Sequence, residues 1–384
     1  MLHPHMTLLI RRLNNLYARV DVMTSEVANC KHAPWGGTIP LVSVLVLNWR
    51  GRRFLKPCFA SLIRDVCPHV ELLLIDNGSD DGSVDLVKTE FPQVRVISYD
   101  VNLGFSRGYN AAVPLARGRF MVFLNNDTEV KEGWLFPLID ALRERPDIGI
   151  ASSKLVFFGT HLLNGVGGYL KLWTGGGELG FGDAEESFPV GGIIEPFYGS
   201  GAALAIRREL FERTGGFDDE MFAYGEDLDL SWRVRLAGYH VKCIPGSVVY
   251  HHFSSTLGGV NPAKFKMGVQ HYIRAMLKCL SYHNLLHALP IYLVFALIKG
   301  GMLSLLTRNQ EYLINVFIAF RCIAYNVGEI CQKRNATQRL RVVSDRRVFA
   351  SDGFGLFDAP WHFFRLWRIL GSVRRTKICR KVER

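Results

Sequence analysis

Short apolar runs alternate with amphipathic stretches from Pro40 onward, and the period of each run indicates its secondary structure. Strands are predicted at 41–49, 70–79, 94–100 and 118–127, with helices at 52–66 and 82–90. Short apolar strands separated by helices are typical of a mostly parallel sheet that is covered on both faces. The pattern therefore predicts an α/β fold, in which ligands bind beyond the carboxyl ends of the strands.

The pattern changes after the fourth strand. Residues 159–192 are dense in glycine and have no clear period, which is typical either of a lid or acceptor-binding loop or of a disordered surface loop. Regular structure resumes with a helix at 207–214, a second helix that carries Glu226 and Asp227, and a short strand that ends at His251. We assign residues 39–261 to one domain on this pattern.

Two apolar segments follow, at 285–306 and 312–330, and each is about as long as a helix that crosses a bilayer. Pro290 and Lys299 interrupt the first segment and Arg321 interrupts the second. Helices that lie in the membrane interface therefore compete with true spans, and buried helices of a soluble core are a further alternative.

The charge distribution favours membrane-associated helices over buried helices of a soluble core. The chain of 384 residues has 46 Lys and Arg against 35 Asp and Glu, a net charge of +11. From Cys331 to the end there are fourteen basic and four acidic residues, about +10, so the preceding body is close to neutral. This argues against a nucleic-acid-binding core and predicts a basic tail that contacts anionic lipid head groups or a polyanionic partner, with a solvated tail as the alternative. Residues 262–384 are accordingly predicted to be a membrane-associated region, apolar first and then basic.

The eight cysteines show no CxxC spacing and no pairing rhythm, which indicates reduced thiols in the cytoplasm. Residues 1–38 contain an apolar run that is interrupted by Arg11 and Arg12, so we interpret them as a short amphipathic extension rather than a secretory signal.

Polar side chains stand where each predicted strand ends. Asn48, Asp76 and Asn102 follow the first three strands, and the fourth ends at Asn125-Asn126-Asp127. A carboxylate at such an end can bind Mg²⁺ or Mn²⁺ together with water and a diphosphate, although an isolated Asp there commonly caps a turn. Asp76 can accept hydrogen bonds from a base or a ribose.

The stretch 102–110 adds Gly104, which permits close backbone approach to a ligand, and the cation Arg107. The chain contains neither GxxxxGK[ST] nor a GxGxxG after its first strand, which argues against kinases, ATPases and Rossmann dehydrogenases.

Six motifs together resemble a known family. They are "VSVLVLNWRG", "LLLIDNGSDDGS", "NLGFSRGYNAAV", "FLNNDTEV", "GGFDDEMFAYGEDLDLSWRVRLAGYHV" and "VVYHHFSST". In this order and spacing they resemble the family 2 glycosyltransferases of GT-A fold, especially the rhamnosyltransferase-like branch. The resemblance covers residues 40–257, and the helical remainder resembles the membrane-associated ends of that branch.

The resemblance implies roles for single residues. Asp127 occupies the metal-binding place of the DxD motif, in which Asn125 replaces the first Asp. Glu226-Asp227 matches the family's ED pair, whose Asp is the catalytic base. His251 matches a histidine that completes the metal site, while His252 faces the other side of the strand. Without the motif, Glu226 and Asp227 could equally belong to an ordinary ion-pair face on a helix.

The remaining candidates fall into two groups. The nucleotide-sugar site is predicted to contain Asn48, Asp76, Asn102, Gly104, Arg107, Asn125 and Asn126. Acceptor binding is assigned to Trp232 and Gly201, with core packing as the alternative role for the tryptophan.

These features predict an inverting, metal-dependent glycosyltransferase at the cytoplasmic face of the membrane. It would move a sugar from a nucleotide-diphosphate donor to a glycan or lipid-linked acceptor, because a base removes the acceptor proton while a cation neutralises the departing diphosphate. A sugar-nucleotide nucleotidylyltransferase and a non-catalytic nucleotide- or carbohydrate-binding scaffold remain the alternatives.

Overall fold

A ten-stranded sheet forms the centre of the computed structural model, which describes residues 18–20, 41–65, 69–188, 191–252 and 261–350. The strands are β1 (Ala18–Val20), β2 (Val42–Asn48), β3 (Val70–Asn77), β4 (Arg95–Tyr99), β5 (Phe120–Asn125), β6 (Thr128–Val130), β7 (Ile148–Phe157), β8 (Leu163–Gly165), β9 (Gly168–Lys171), β10 (Gly175–Glu178), β11 (Ala203–Arg207) and β12 (His240–His251). The strands β9 and β10 form a separate antiparallel hairpin.

Helices cover both faces of the sheet and continue beyond it. They are α1 (Arg52–Ile63), α2 (Ser83–Glu90), α3 (Gly104–Ala112), α4 (Leu135–Glu144), α5 (Arg208–Arg213), α6 (Glu226–Leu236), α7 (Pro262–Cys279), α8 (Tyr282–Thr307), α9 (Glu311–Tyr325), α10 (Val327–Leu340) and α11 (Asp345–Val348).

The predicted α/β fold is confirmed, and the sheet is mixed rather than parallel throughout. Its order is β1-β4-β3-β2-β5-β11-β7-β12-β6, with β8 paired to β7. The neighbours from β4 to β5 are parallel, as the sequence predicts. In contrast, β11 is antiparallel to both β5 and β7. An antiparallel neighbour can be reached without a crossover helix. The chain therefore enters β11 through the long segment before it, and this part of the sheet lacks the βαβ pattern of the first half.

The central strands are buried on both faces, which explains their continuous apolar runs. Along β5, Val122 and Leu124 point into a core shared with α1, α2 and α4. Met121 and Phe123 point into the opposite core, shared with α3, α5 and α6. Because successive side chains of a strand face opposite sides, such a strand has no polar face.

Helix α6 is buried around almost its whole circumference. Leu230 and Val234 face the sheet, whereas Trp232 and Leu236 lie in a third core together with residues of α7, α8 and α9. A helix that is covered on all sides in this way joins the two cores that it contacts. The predicted division at residues 261 and 262 falls at the start of α7, but that helix shares its core with α6.

Two predicted segments differ from the observed structure. The glycine-dense stretch 159–192 contains β8 and the hairpin β9–β10, so it is not an irregular loop. The strand that ends at His251 has 12 residues and is not short. Of the N-terminal extension only β1 is described, and residues 351–384 of the basic tail lie outside the described residues.

The first predicted apolar segment forms α8, which continues through Pro290. Within the described part of the chain, α8 is the one helix that is long and apolar enough to cross a membrane. Helices α9 and α10 together pass the same test but meet at a bend of 69°. Leu286, Val294 and Ile298 are more than half exposed and lie on α8. An apolar stripe of this kind is suited to a lipid surface.

We expect the full-length chain to sediment with membranes and to remain there in high salt, because burial of the α8 stripe in lipid is insensitive to ionic screening. Double substitution Val294→Glu/Ile298→Glu should release it, since these exposed side chains contribute little to the folded core. Fractionation with immunoblotting measures the distribution. A wild-type chain that stays in the soluble fraction without detergent contradicts the expectation.

Candidate active site

The carboxyl ends of β2, β3 and β5 meet at one edge of the sheet, where a chain of polar side chains is formed. Asn126 Nδ2 donates to Asn48 Oδ1 at 2.7 Å, and Asn48 Nδ2 donates to Asp76 Oδ1 at 2.9 Å. The second oxygen of Asp76 accepts from the Ser79 amide at 2.9 Å. Asp76 is buried, so its carboxylate orients Asn48 and the following turn, while each oxygen keeps a second lone pair. A side chain at Gly51 would collide with Asn126.

A second turn at this edge contains Asn102 and Gly104. Asn77 Nδ2 donates to Asn102 Oδ1 at 3.1 Å and to the Gly104 carbonyl at 2.9 Å. Gly104 has φ 78°, and a Cβ there would lie 2.5 Å from the ring of Phe222, so glycine is required on both counts. Arg107 is exposed and makes an ion pair with Glu220 at 2.5 Å.

Asp127 and His251 are adjacent, as the motif spacing predicts. His251 Nε2 lies 3.2 Å from Asp127 Oδ1, and its Nδ1 lies 2.8 Å from Asn164 Oδ1. Because Asn164 Oδ1 only accepts, Nδ1 carries the proton and Nε2 is directed at the carboxylate. His252 instead stacks on Phe158 at 4.0 Å between ring centroids.

The donor set of this pair fits a divalent cation. Two acceptor atoms facing each other at 3.2 Å require either a proton on the imidazole or a cation between them. Among the residues that the structure describes, no three His, Cys, Asp or Glu side chains converge on one point. The protein therefore provides two ligand atoms here, which suits an ion that keeps waters and phosphate oxygens as its other ligands.

Glu226 and Asp227 are the first two residues of α6, and their surroundings affect their pKa values differently. Asp227 Oδ2 accepts from the Gly201 amide at 2.9 Å, and Oδ1 accepts from the Leu228 amide at 2.8 Å. Burial raises the pKa of both carboxyls, and the neighbouring charge of Asp227 raises the pKa of Glu226 further. The Gly201 and Leu228 amides oppose this shift for Asp227, whereas the negative charge beside Glu226 adds to it, so the surroundings favour Asp227 as the member that accepts a proton.

Tyr224 lies in the turn that precedes α6. Its backbone has φ 67°, a rare conformation for a bulky side chain, and it is followed by Gly225 with φ 93°. Burial raises the pKa of Tyr224 to about 12, and the negative charges of Glu226 and Asp127 contribute to the shift. The Gly201 amide binds Asp227, and the Asn125 amide donates to the Ala202 carbonyl at 3.0 Å, so the strand end that leads to Asp127 lies beside the start of α6.

The assignment of Trp232 to acceptor binding is wrong. Its side chain is 0% exposed and its ring contacts Phe197 and Phe349 edge to face. A sugar cannot stack on a ring that is enclosed on both faces, and the tryptophan has the packing role that was its alternative. Gly201 lies at the site, since its amide binds Asp227.

Some residues of the site could not be recognised from the sequence. Asn164 lies in the glycine-dense stretch, far from His251 in the chain, and Tyr224 has no feature that distinguishes it from a core aromatic residue. Ser79 could have been included from "DNGSD", because a hydroxyl two residues after such a strand end commonly binds the turn.

The chain is similar in sequence to proteins whose names denote O-antigen biosynthesis and rhamnosyl transfer. The O-antigen biosynthesis protein RfbC of Myxococcus xanthus is 30% identical over 239 residues, which are 58% of this chain and 18% of that protein. The N-acetylglucosaminyl-diphospho-decaprenol L-rhamnosyltransferase of Mycobacterium tuberculosis is 27% identical over 57% of this chain and 78% of its own length. The chain spans about a quarter or less of the length of RfbC and of protein y4gI of Sinorhizobium fredii.

A solved structure supports the fold. The crystal structure of GalNAc-T7 with UDP, GalNAc and Mn²⁺ superposes with a TM-score of 0.53 at 15% identity, over 86% of this chain and 67% of that one. The model of "Glycosyl transferase family 2" matches residues 43–213, which span β2 to α5 and include Asn48, Asp76 and Asp127. The predicted family is confirmed: the chain carries a glycosyl transferase family 2 domain.

Proposed function

We propose that the protein is an inverting glycosyltransferase that moves a sugar from a nucleoside-diphosphate donor to a hydroxyl of a glycan or lipid-linked acceptor. One observation carries the proposal: the Gly201 amide binds Asp227 while the next residue, Ala202, accepts from the Asn125 amide, so the proposed base lies beside the strand end that leads to Asp127. The family 2 domain supports it, as do relatives whose names denote rhamnosyl transfer and O-antigen synthesis.

The donor occupies the edge formed by β2, β3 and β5. Asn48, Asp76 and Asn126 hold one another in the orientation needed for a nucleoside, and Asn102 and Gly104 form the adjoining wall. Asn125, at the end of β5, contributes an amide where a second carboxylate would otherwise stand. Asp127 and His251 would hold Mg²⁺ or Mn²⁺, which when bound neutralises charge on the departing diphosphate. Arg107 belongs to this wall only if its ion pair with Glu220 opens.

Transfer then needs one base. Asp227 accepts the proton of the acceptor hydroxyl, and the hydroxyl oxygen bonds to the anomeric carbon. The bond between that carbon and the diphosphate oxygen breaks on the opposite side, and the nucleoside diphosphate leaves with the electron pair. A single displacement of this kind inverts the anomeric configuration. The Gly201 and Leu228 amides stabilise the charged form of Asp227 against the effect of burial and orient the carboxylate throughout.

The hairpin β9–β10 forms the acceptor side in place of Trp232. Glu178 of β10 accepts from the Tyr198 hydroxyl at 3.3 Å, and Tyr198 precedes Gly201 by three residues. A Cβ on Gly176 of β10 would lie 3.2 Å from Leu228 Cδ1, so the hairpin closely approaches the residue that follows the proposed base. The hairpin also contacts α7, because the Tyr272 hydroxyl donates to the Leu172 carbonyl at 3.0 Å. An acceptor bound here lies between the base and the C-terminal helices.

The exposed stripe of α8 favours a lipid-linked acceptor that is approached from the membrane surface. Cys58, Cys243 and Cys279 are buried free thiols, which agrees with a reducing compartment and hence with the cytoplasmic face. The basic tail would add attraction to an anionic leaflet.

Asp127→Asn should abolish turnover and the metal dependence of donor binding, because the amide cannot replace a carboxylate as a ligand for a hard cation. Calorimetric titration of nucleoside-diphosphate donors with and without Mn²⁺ measures the dependence. His252→Asn is the matched control, since that ring lies on the other side of the strand and should leave the metal effect intact. A fully active Asp127→Asn enzyme would exclude the metal assignment.

Asp227→Asn should lower kcat by about 10² to 10⁴ while leaving donor affinity almost unchanged, because a base acts on the acceptor proton in the transition state. Glu226→Gln is the control: burial and the charge of Asp227 raise the pKa of this carboxyl, and the amide has a similar shape, so the effect should be small. Release of nucleoside diphosphate on addition of acceptor measures turnover, whereas release of pyrophosphate would indicate nucleotidyl transfer. If Glu226→Gln is the more damaging change, the base has been misassigned.

Glu178→Gln should stabilise the protein increasingly as the pH rises. Burial, together with the charge of Asp227, raises the pKa of Glu178 from 4.5 to about 8. The folded state therefore binds this proton more tightly than the unfolded state, and the resulting stability is complete below pH 4.5 and is lost as the pH rises to about 8. The difference in unfolding free energy between variant and wild type should grow by up to roughly 1.4 kcal/mol per pH unit in that window.

Denaturant unfolding at pH 5, 6.5 and 8 measures this difference. Glu186→Gln, at an exposed position of the same segment, should show no such trend. A difference between Glu178→Gln and wild type that stays constant with pH would show that the carboxyl is not held protonated.

A further inference from the structure

One stripe of α7 contacts the segment that contains Glu226 and Asp227. His271, Arg274 and Lys278 are spaced i, i+3 and i+7, so they lie on one face of the helix. That face is turned toward residues 218–229, which lead into the first turn of α6. A helix of the C-terminal region therefore contacts the carrier of the proposed base directly.

The first contact is to backbone. His271 Nδ1 lies 2.6 Å from the Tyr224 carbonyl oxygen and donates to it. A Cβ placed on Gly225 would lie 3.3 Å from the Cβ of His271, so α7 closely approaches the turn that precedes α6. This contact holds Tyr224, whose backbone has φ 67°, in the turn that precedes α6.

The other contacts are buried ion pairs. Arg274 Nε lies 2.6 Å from Asp218 Oδ2. Lys278 Nζ lies 2.5 Å from Asp218 Oδ2 and 2.6 Å from Asp229 Oδ1. Lys278 thus joins the two ends of the segment, and its side chain is 2% exposed. Arg233 Nε donates to the other oxygen of Asp229 at 2.9 Å.

These charges depend on one another because water does not reach them. Burial alone would raise the pKa of Asp229, but Lys278 and Arg233 hold it below its usual value. Without Lys278, Arg233 would still bind Asp229 Oδ2, but Asp229 Oδ1 would lose its buried partner, so the surrounding structure must move or admit water. The consequence of losing Lys278 falls on Asp229, two residues after the proposed base.

We propose that Lys278 is a positioning residue for Asp227, which it fixes by binding Asp218 and Asp229 at the two ends of the segment that contains the base. The Asp229 amide donates to the Gly225 carbonyl at 3.0 Å, which is the bond that closes the first turn of α6. A displacement of Asp229 opens this turn and moves Asp227 away from the Gly201 amide. The C-terminal helices would therefore have two roles: α8 provides an exposed apolar stripe, and α7 helps to position the proposed base.

This inference rests on the proposed role of Asp227 as base, and it is tested with the full-length chain. Lys278→Met removes the ammonium group and keeps an unbranched side chain. Lys333→Gln is the matched control: Lys333 belongs to the same charge network, at 2.5 Å from Asp218, but is a third exposed and is paired with Glu329 rather than Asp229. Steady-state kinetics, calorimetric donor binding and hydrogen exchange of the Asp229 amide are measured for each variant.

We expect Lys278→Met to lower kcat by about 10- to 100-fold, with donor affinity changed by less than about threefold, because the base and not the donor edge is displaced. Exchange of the Asp229 amide should accelerate at least about tenfold. Lys333→Gln should leave kcat within about threefold of wild type. If Lys278→Met does not fold, Lys278→Gln removes the same charge but keeps a polar group near Asp229, and it should lower kcat several-fold at unchanged donor affinity.

Three results would overturn the inference: near-wild-type kcat in Lys278→Met, or in Lys278→Gln in its place; equal loss of kcat in Lys333→Gln; or a loss of donor affinity as large as the loss of kcat. A wild-type chain without transferase activity refutes the proposed function instead. In that case the exchange of the Asp229 amide alone decides whether Lys278 holds the turn.

Discussion

The hydrogen bond from the Gly201 amide to the Asp227 carboxylate is the contact on which the rest of the site depends. A carboxylate at the end of a buried helix stays ionised only if donors compensate its lost hydration, and here two backbone amides do so. Gly201 itself is held in place because β11 follows it and pairs with β5, where the Asn125 amide donates to the Ala202 carbonyl at 3.0 Å. The register of one antiparallel pair therefore sets the distance between the proposed base and the strand end that leads to Asp127.

The strands that were predicted correctly are those whose burial is visible in the sequence. β2, β3 and β5 face apolar cores on both sides, and a continuous apolar run is sufficient to indicate them. β7 was missed because Ser152, Ser153 and Lys154 interrupt its apolar run. Their burial is possible only through distant partners: Ser153 Oγ lies 2.8 Å from the Oγ of Ser247, and Lys154 Nζ lies 3.1 Å from Glu185. A local pattern cannot contain such pairings, so the mixed half of the sheet was not predictable.

The same distinction applies to the site. Asp127 and His251 were recognisable from motif spacing, and the structure brings them within 3.2 Å of each other. Asn164, which orients the imidazole, lies in β8, and the high glycine content of that stretch hides the alternating pattern by which a strand is recognised. Trp232 was misassigned because α6 has a second buried face only after the C-terminal helices dock. Strand ends and motifs thus predict the groups that carry charge, whereas the side chains that orient them follow from tertiary packing.

The two margins of the sheet have a consequence for the protein in solution. Among the strands that the structure describes, β1 and β6 lie at the two ends of the sheet, and each has 3 residues. An edge strand exposes unpaired backbone donors and acceptors in proportion to its length, and long edges recruit strands of other chains. Margins this short provide little template for edge-to-edge growth. Copies of the protein crowded together at a surface would therefore be protected against β-aggregation by the length of their outer strands.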